Sequence, residues 1–281
     1  MVVISLGAAV GCSSRSALEQ QAQAQKLSSD ILVQFTRATD AANRAVMADT
    51  DEASVAFARE AEQAKQAIQK DTDALKPLLQ GLGYSEETRL LDQFGSRFSE
   101  YRALDRTILD LAVENTNLKA QRLSFGPAQD AADAFRDAVE AIAPLDAARD
   151  SWHVKALVAT AVATVREIQV LQAPHIANAD DAAMAQVEKR MAAFEAAARS
   201  ALERLAPLVQ PASRPRLAAA TAALDRFMDL NSQIVALSRR NSNVRSLALS
   251  LNQKGKLTGA CEESLRALRD ALAGRGFTGT R

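Results

Sequence analysis

Two pairs of asparagines carry the strongest polar signal in the chain. Asn115 and Asn117 lie in VENTNLKAQRL, and Asn241 and Asn243 in RRNSNVRSLAL. Asn115 continues the series Leu104, Ile108, Leu111 at helical steps of three and four, and Asn241 continues Leu230, Ile234, Leu237. An amide on an apolar seam can contact a ligand. It can also fix the register of buried helices at some cost in stability, or mark a turn, which asparagine favours. Asn117 and Asn243 read as exposed partners of the same turn or helix start. Arg122 falls on the seam as well. A guanidinium inside a bundle can hold a carboxylate at two points; the plainer alternative is a side chain that reaches out to the edge. Its repeat counterpart is Ala248. Asn115, Asn117, Arg122, Asn241 and Asn243 are the candidate ligand-binding residues.

Other chemistry is sparse. There are two His and two Cys, with no CxxC, CxxCH or HExxH, no phosphate-binding glycine loop and no nucleophile motif. The carboxylates are spread along helix faces. No enzyme, metal site or cofactor is expected. Trp152 reads as a core anchor at a module junction, His175 as an exposed turn residue, and Cys261, standing where the repeat has Phe135, as a small core residue. Lys+Arg and Asp+Glu are equal at 34 each, so the chain lacks the basic footprint of a nucleic-acid binder.

These residues are positioned by a repeat. Residues 94–125 align with 220–251 at a constant offset of 126 (220 − 94), which places Tyr101 on Phe227, Asn115 on Asn241 and Asn117 on Asn243. Upstream, LKPLLQ at Leu75 matches LAPLVQ at Leu205, an offset of 130 (205 − 75). The change in offset falls where GLGYSEETRL is replaced by the shorter PASRPR, so a helix-helix turn lies there. Gly is scarce at 11, Pro at 7 and aromatics at 4%, a composition suited to long helices. The expected fold is all-α: two tandem antiparallel four-helix-bundle-like modules, over 17–144 and 145–275, with a tail at 276–281.

Apolar steps of three and four predict helices from Ser13 to about Met47, from Glu52 to Leu79 and from Ser85 onward. The third either turns near Asn115 or runs to Gly126-Pro127. A helix over Ala128 to Ile142 completes the first module, with Ala143-Pro144 as the joint. The second module repeats the plan: Asp146 to Leu171 closed by Pro174, Asp180 to Val209, a helix begun by Ser213, and a last one ending near Leu272.

Residues 1–16 open with MVVISLGAAVGCSS, apolar but shorter than the roughly 20 residues of a membrane span and without a basic start. Three readings stay open: the end of a membrane helix, a lipoprotein-like cleavage before Cys12, and a frayed terminus.

The order of these features carries a resemblance. F-x3-F-x2-Y-x6-I-L-x-L-A followed by N-x-x-A-Q-R-L, borne by Phe94, Phe98, Tyr101, Ile108, Leu109, Leu111, Ala112, Asn117, Ala120 and Leu123, resembles the four-helix-bundle ligand-binding domain of bacterial chemotaxis receptors. The second module resembles it by repetition. The resemblance implies a non-enzymatic sensor-type module lying in the periplasm and anchored in the inner membrane at its N-terminus. Its partners would be a small-molecule ligand, and a second copy or a helical receptor partner through the bundle faces. The chain lacks the second membrane helix and the cytoplasmic part of that family. The competing expectation is a structural or interaction protein of the cell envelope, with dry, well-filled cores and no small-molecule ligand.

Overall fold

A computed structural model describes residues 16–142 and 151–275. The expectations for the apolar N-terminal stretch, the joint at Pro144 and the tail at 276–281 lie outside the described residues. Within them the chain is all-α, without a strand.

The long helices are α1 (Ala17–Met47), α2 (Asp51–Gly81), α3 (Ser85–Glu114), α6 (Ser151–Ala177), α7 (Asp181–Leu205), α8 (Arg214–Arg240) and α10 (Gly255–Gly274). Shorter ones are α4 (Thr116–Leu123), α5 (Gln129–Glu140) and α9 (Ser242–Leu249). The seams inferred from periodicity are the buried faces: Ile31, Phe35 and Ala38 on α1, Phe94, Tyr101 and Ile108 on α3, and Leu224, Phe227 and Ile234 on α8 are fully buried. Asp180 caps α7, its carboxylate accepting from the Ala183 amide at 2.8 Å.

The alternatives for the third helix resolve at Asn115. It adopts φ 50°, ψ 38°, and Asn241 φ 52°, ψ 38°. These are the two non-glycine residues with positive φ among those described. A left-handed residue ends one helix and redirects the next, and asparagine is the side chain that tolerates it best after glycine. Gly126-Pro127 does not end a helix. Both residues lie in a π-helical turn, Ser124–Ala128, that joins α4 to α5, and the repeat has the same turn at Ser250–Lys254. The wider turn has room for a proline ring that an α-helical turn would press against the preceding carbonyl. Pro174 likewise lies inside α6, in its last turn, rather than closing it.

The helices group in a way the repeat did not predict. One compact unit holds residues 16–44, 56–106 and 251–275; the other holds 45–55, 107–142 and 151–250. Unit 1 is a bundle of α1, α2, α3 and α10, with Cys261, Leu265, Leu268 and Leu272 of α10 packed on Phe35, Phe94 and Leu75. In unit 2, α5 packs on α8 and α6, and Phe135 and Val139 join the core of Val165, Ile168, Leu205 and Phe227. The consecutive division at 144/145 is thus corrected: each copy's fourth helix serves the other copy's three. Two similar sequences present similar docking faces, so pattern alone cannot say which copy receives which fourth helix. The cost of exchange is two redirected helices, and Asn115 and Asn241 supply them.

Candidate functional site

The asparagine pairs meet in unit 2. Thr116 and Ser242, at the starts of α4 and α9, exchange hydrogen bonds. The Thr116 amide donates to Ser242 Oγ (3.1 Å), and the Ser242 amide to Thr116 Oγ1 (3.0 Å). One residue on, the Asn117 amide donates to Asn243 Oδ1 (3.1 Å) and the Asn243 amide to Asn117 Oδ1 (3.2 Å). Asn117 Nδ2 then donates to Asn241 Oδ1, and Asn243 Nδ2 to Asn115 Oδ1, each at 2.9 Å. Residues at equivalent positions of the repeat therefore bind one another, as across the twofold axis of a dimer, but within one chain.

The same clasp caps α6. A helix ends with carbonyls that lack intrahelical partners. Here Ser238 Oγ donates to the His175 carbonyl (2.8 Å), Asn117 Nδ2 to that of Ile176 (2.7 Å) and Asn241 Nδ2 to that of Asn178 (2.7 Å). Asn115, Asn117 and Asn241 are buried and Asn243 is half-buried, so the expected exposure of Asn117 is not met. The amides of Asn117, Asn241 and Asn243 are occupied by partners within the clasp. Asn115 Nδ2 alone in the clasp is buried without a hydrogen-bond partner. Arg122 stands apart. It is exposed and pairs with Asp51 (3.1 Å), so it takes the edge position rather than a place inside the bundle.

Next to the clasp, His175 is buried instead of exposed. Its ring bridges Ser238 Oγ (2.9 Å) and Glu188 Oε1 (2.8 Å). Arg239 grips the same carboxylate oxygen at 2.6 Å, and this hydrogen bond, opposed by desolvation and helped by His175, holds the Glu188 carboxyl below its ordinary range. Trp152 is not a core anchor: it is exposed and stacks on His153 with ring centroids 3.8 Å apart. Cys261 is fully buried as expected, and burial pushes its thiol up to about 12.

Unit 1 contains a site that periodicity did not single out. Asp105 is fully buried between two lysines that are themselves only 2% exposed. Lys65 Nζ donates to Asp105 Oδ2 at 2.8 Å. Lys254 Nζ lies 2.9 Å from Oδ1 but off the hydrogen-bond direction, so that oxygen is ion-paired without a hydrogen bond. Lys254 is also 5.7 Å from the Tyr101 ring centroid and 3.5 Å from Asn43 Oδ1. Burial drags the Lys254 amine below its ordinary range against the pull of Asp105, and burial together with Asp105 pushes the Tyr101 hydroxyl up. Two cations meet one carboxylate, so the buried trio carries one surplus positive charge. Glu62, half exposed, answers Lys65 at 3.0 Å from the rim.

The repeat supplies an internal control. At the positions of Lys65, Asp105 and Lys254 it has Glu195, Asn231 and Ala128. Asn231 there accepts from Gln172 Nε2 at 2.9 Å, and Ser124 donates to Gln172 Oε1 at 2.7 Å, a neutral layer. The same helical frame thus folds in unit 2 without the buried charges, its Glu195 being half-buried and paired with Arg199. Their signal was available in the sequence: Lys65 falls on the α2 seam between Ala61 and Ile68, and Asp105 lies four residues after Tyr101.

Comparison with known proteins adds little to this geometry. No protein-family model matches the chain, and no curated protein sequence matches it. Among solved structures, the chain resembles one in a crystal structure of the TorS sensor domain–TorT complex in the presence of TMAO. The identity is 13%, over 92% of this chain and 100% of that one, with a TM-score of 0.37. A superposition that loose carries no inference about ligand, partner or mechanism.

Proposed function

We propose that the chain is a non-enzymatic, sensor-type helical module that binds a small molecule in unit 1 and uses unit 2 as scaffold. The observation that carries the reading is the buried Lys65–Asp105–Lys254 trio. Buried charges are costly, and an unbalanced one more so. The repeat shows that a neutral layer suffices to build the bundle, so the trio serves something other than folding. The clasp and the neutral layer of unit 2, with most of their polar atoms taken by one another, favour a structural role for that unit. Cys261 is buried with a raised thiol, which supports the absence of nucleophilic chemistry. The module belongs, on this reading, on the periplasmic side of the inner membrane, held by the apolar residues 1–16. None of the helices among the described residues is long and apolar enough to cross a membrane.

The test is a thermal-shift screen of the full chain against amino acids, organic acids and amines, because a ligand that binds the folded state raises the melting temperature. At least one compound should give a saturable rise that is lost in D105N/K254A, the variant carrying the neutral residues of the repeat. A panel without any saturable rise, confirmed by flat calorimetric titrations, would remove the small-molecule reading and leave the structural one.

A further inference from the structure

The groove between α2 and α3 of unit 1 opens onto Lys65 and has a volume of about 460 Å³. Its polar lining is Glu62, Lys65, Thr72, Ser99, Arg102 and Arg106, beside Gln69 and an apolar wall of Phe98. Beyond the Lys65–Glu62 pair at 3.0 Å and a long Arg102–Gln69 contact, these groups do not satisfy one another. Thr72 Oγ1 is buried without a hydrogen-bond partner. Arg102 reaches only Gln69 Oε1, at 3.3 Å, and lies 5.9 Å from the Phe98 ring centroid. Neither Arg102 nor Arg106 has a carboxylate partner among the described residues.

The matching groove of unit 2, about 410 Å³, shows what a self-sufficient version looks like. There Arg199 spans the two helices, donating to Glu195 at 2.9 Å and to Asp225 at 2.7 Å. The positions of Arg199, Glu195 and Asp225 are those of Gln69, Lys65 and Ser99 in unit 1. A locked acid–base–acid bridge in one copy is thus replaced in the other by Lys65, Arg102 and Arg106 against Glu62 alone, which leaves two positive charges facing the groove.

We propose that this groove is the binding site for a small anion bearing a carboxylate or phosphate group. The inference rests on the sensory reading and names the ligand class for the same unit. Arg102 and Arg106, one helical turn apart on one face of α3, present two guanidinium forks of the kind that hold oxyanions at two points. Thr72 and Ser99 supply hydroxyl donors from opposite walls. Lys65 closes the floor, and through Asp105 it is the link from the groove to the buried Lys254. Glu62 at the rim opposes a large polyanion, which limits the occupant to a compact one. A cationic ligand would face three like charges.

The experiment is isothermal titration calorimetry on the full chain at fixed ionic strength, with succinate, inorganic phosphate and putrescine as probes. One of the two anions should bind saturably at one site per chain, and which one does so tells carboxylate from phosphate recognition. Affinity should fall at least about tenfold in R102Q/R106Q, the loss of roughly one charge-assisted contact. It should fall as far in Q69R/S99D, which imports the Arg199–Asp225 pair of the unit 2 bridge, without its Glu195, and so fills the groove without removing either arginine. Circular dichroism melts check that both variants fold; should the first fail to, the second decides. Failure of both anions to bind overturns the proposal, as does binding that survives unchanged in a folded variant. Saturable binding of putrescine alone would overturn it while leaving the sensory reading intact.

Discussion

Removing the charge from Asp105 should destabilise the protein more than any other conservative change in unit 1. D105N keeps the shape and leaves Lys65 and Lys254, each 2% exposed, facing a neutral amide. Breaking a buried ion pair by removing one partner costs about 3–5 kcal/mol, because the remaining charge is stranded. For a chain of this size each kcal/mol lowers the melting temperature by roughly 2–4 °C, so a fall of about 6–20 °C is expected if the melt is a single transition. The decisive comparison is the double variant D105N/K254A. It reproduces the Asn231/Ala128 pair of unit 2 and removes the stranded surplus charge, while Lys65 keeps Glu62 at 3.0 Å. Most of the loss should be recovered, and a double-mutant cycle should give a coupling on the order of 2 kcal/mol. Urea unfolding followed by circular dichroism measures each corner of the cycle. If D105N costs under about 1 kcal/mol, or if K254A adds its own full penalty to it, the trio is not a coupled buried cluster and the case for a ligand in unit 1 loses its foundation.

Three further outcomes are expected. N117A should cost roughly 2–4 kcal/mol by urea unfolding, because Ile176 O, Asn241 Oδ1 and the Asn243 amide each lose a buried partner; a cost near zero would mean that water replaces the clasp. Burial holds Lys254 below the ordinary lysine value of 10.5. The unfolded chain therefore binds more protons between the two pKa values, and stability should rise with pH through that alkaline window. K254M should flatten this rise, and an unchanged slope in melts taken from neutral pH upward counts against it. Glu87 is buried and gripped by Arg275 at 2.6 and 2.9 Å, which holds its carboxyl below the ordinary 4.5. Its contribution is present above the unfolded value and lost as pH falls through the folded one, so E87Q should lower stability at neutral pH and weaken its dependence below about pH 4.5; identical acid titrations of the two proteins would refute this.

Helix content and seams were legible because burial follows the three-four period directly: Tyr101, Ile108, Phe227 and Ile234 were named from spacing and are fully buried. The break at Asn115 was one of two readings, and local chemistry could not choose. Gly-Pro is the stronger breaker in isolation, but a π turn absorbs it, and that turn is a response to packing rather than a local propensity. The exchange of α5 and α10 was invisible for a related reason, since equivalent faces accept either fourth helix. Arg122 takes the plainer of its two readings, the edge, because position on a seam does not fix where a long side chain ends. His175 was misplaced because Pro174 suggested a turn, whereas α6 carries the proline and buries the ring two residues before its last, Ala177. Lys65 and Asp105 were legible in principle, since both fall on the apolar period and charge on a seam is a rarer and costlier event than an amide.

The placement of α10 has a consequence for how the chain is made. Unit 1 cannot close until residues 255–274 have left the ribosome, although α1, α2 and α3 are synthesised first. Until then Phe35, Phe94 and Leu75 lack the face that Cys261, Leu265 and Leu268 complete. Unit 2 draws its helices from the middle of the chain and has all of them earlier. Among the described helices, those of unit 1 made first are therefore the last to be sealed, and while residues 107–254 are added at about 5–20 residues per second their apolar faces depend on chaperones or on mutual collapse for protection. A stop codon just ahead of residue 255 would remove α10 and with it the closure of the bundle begun by α1, α2 and α3.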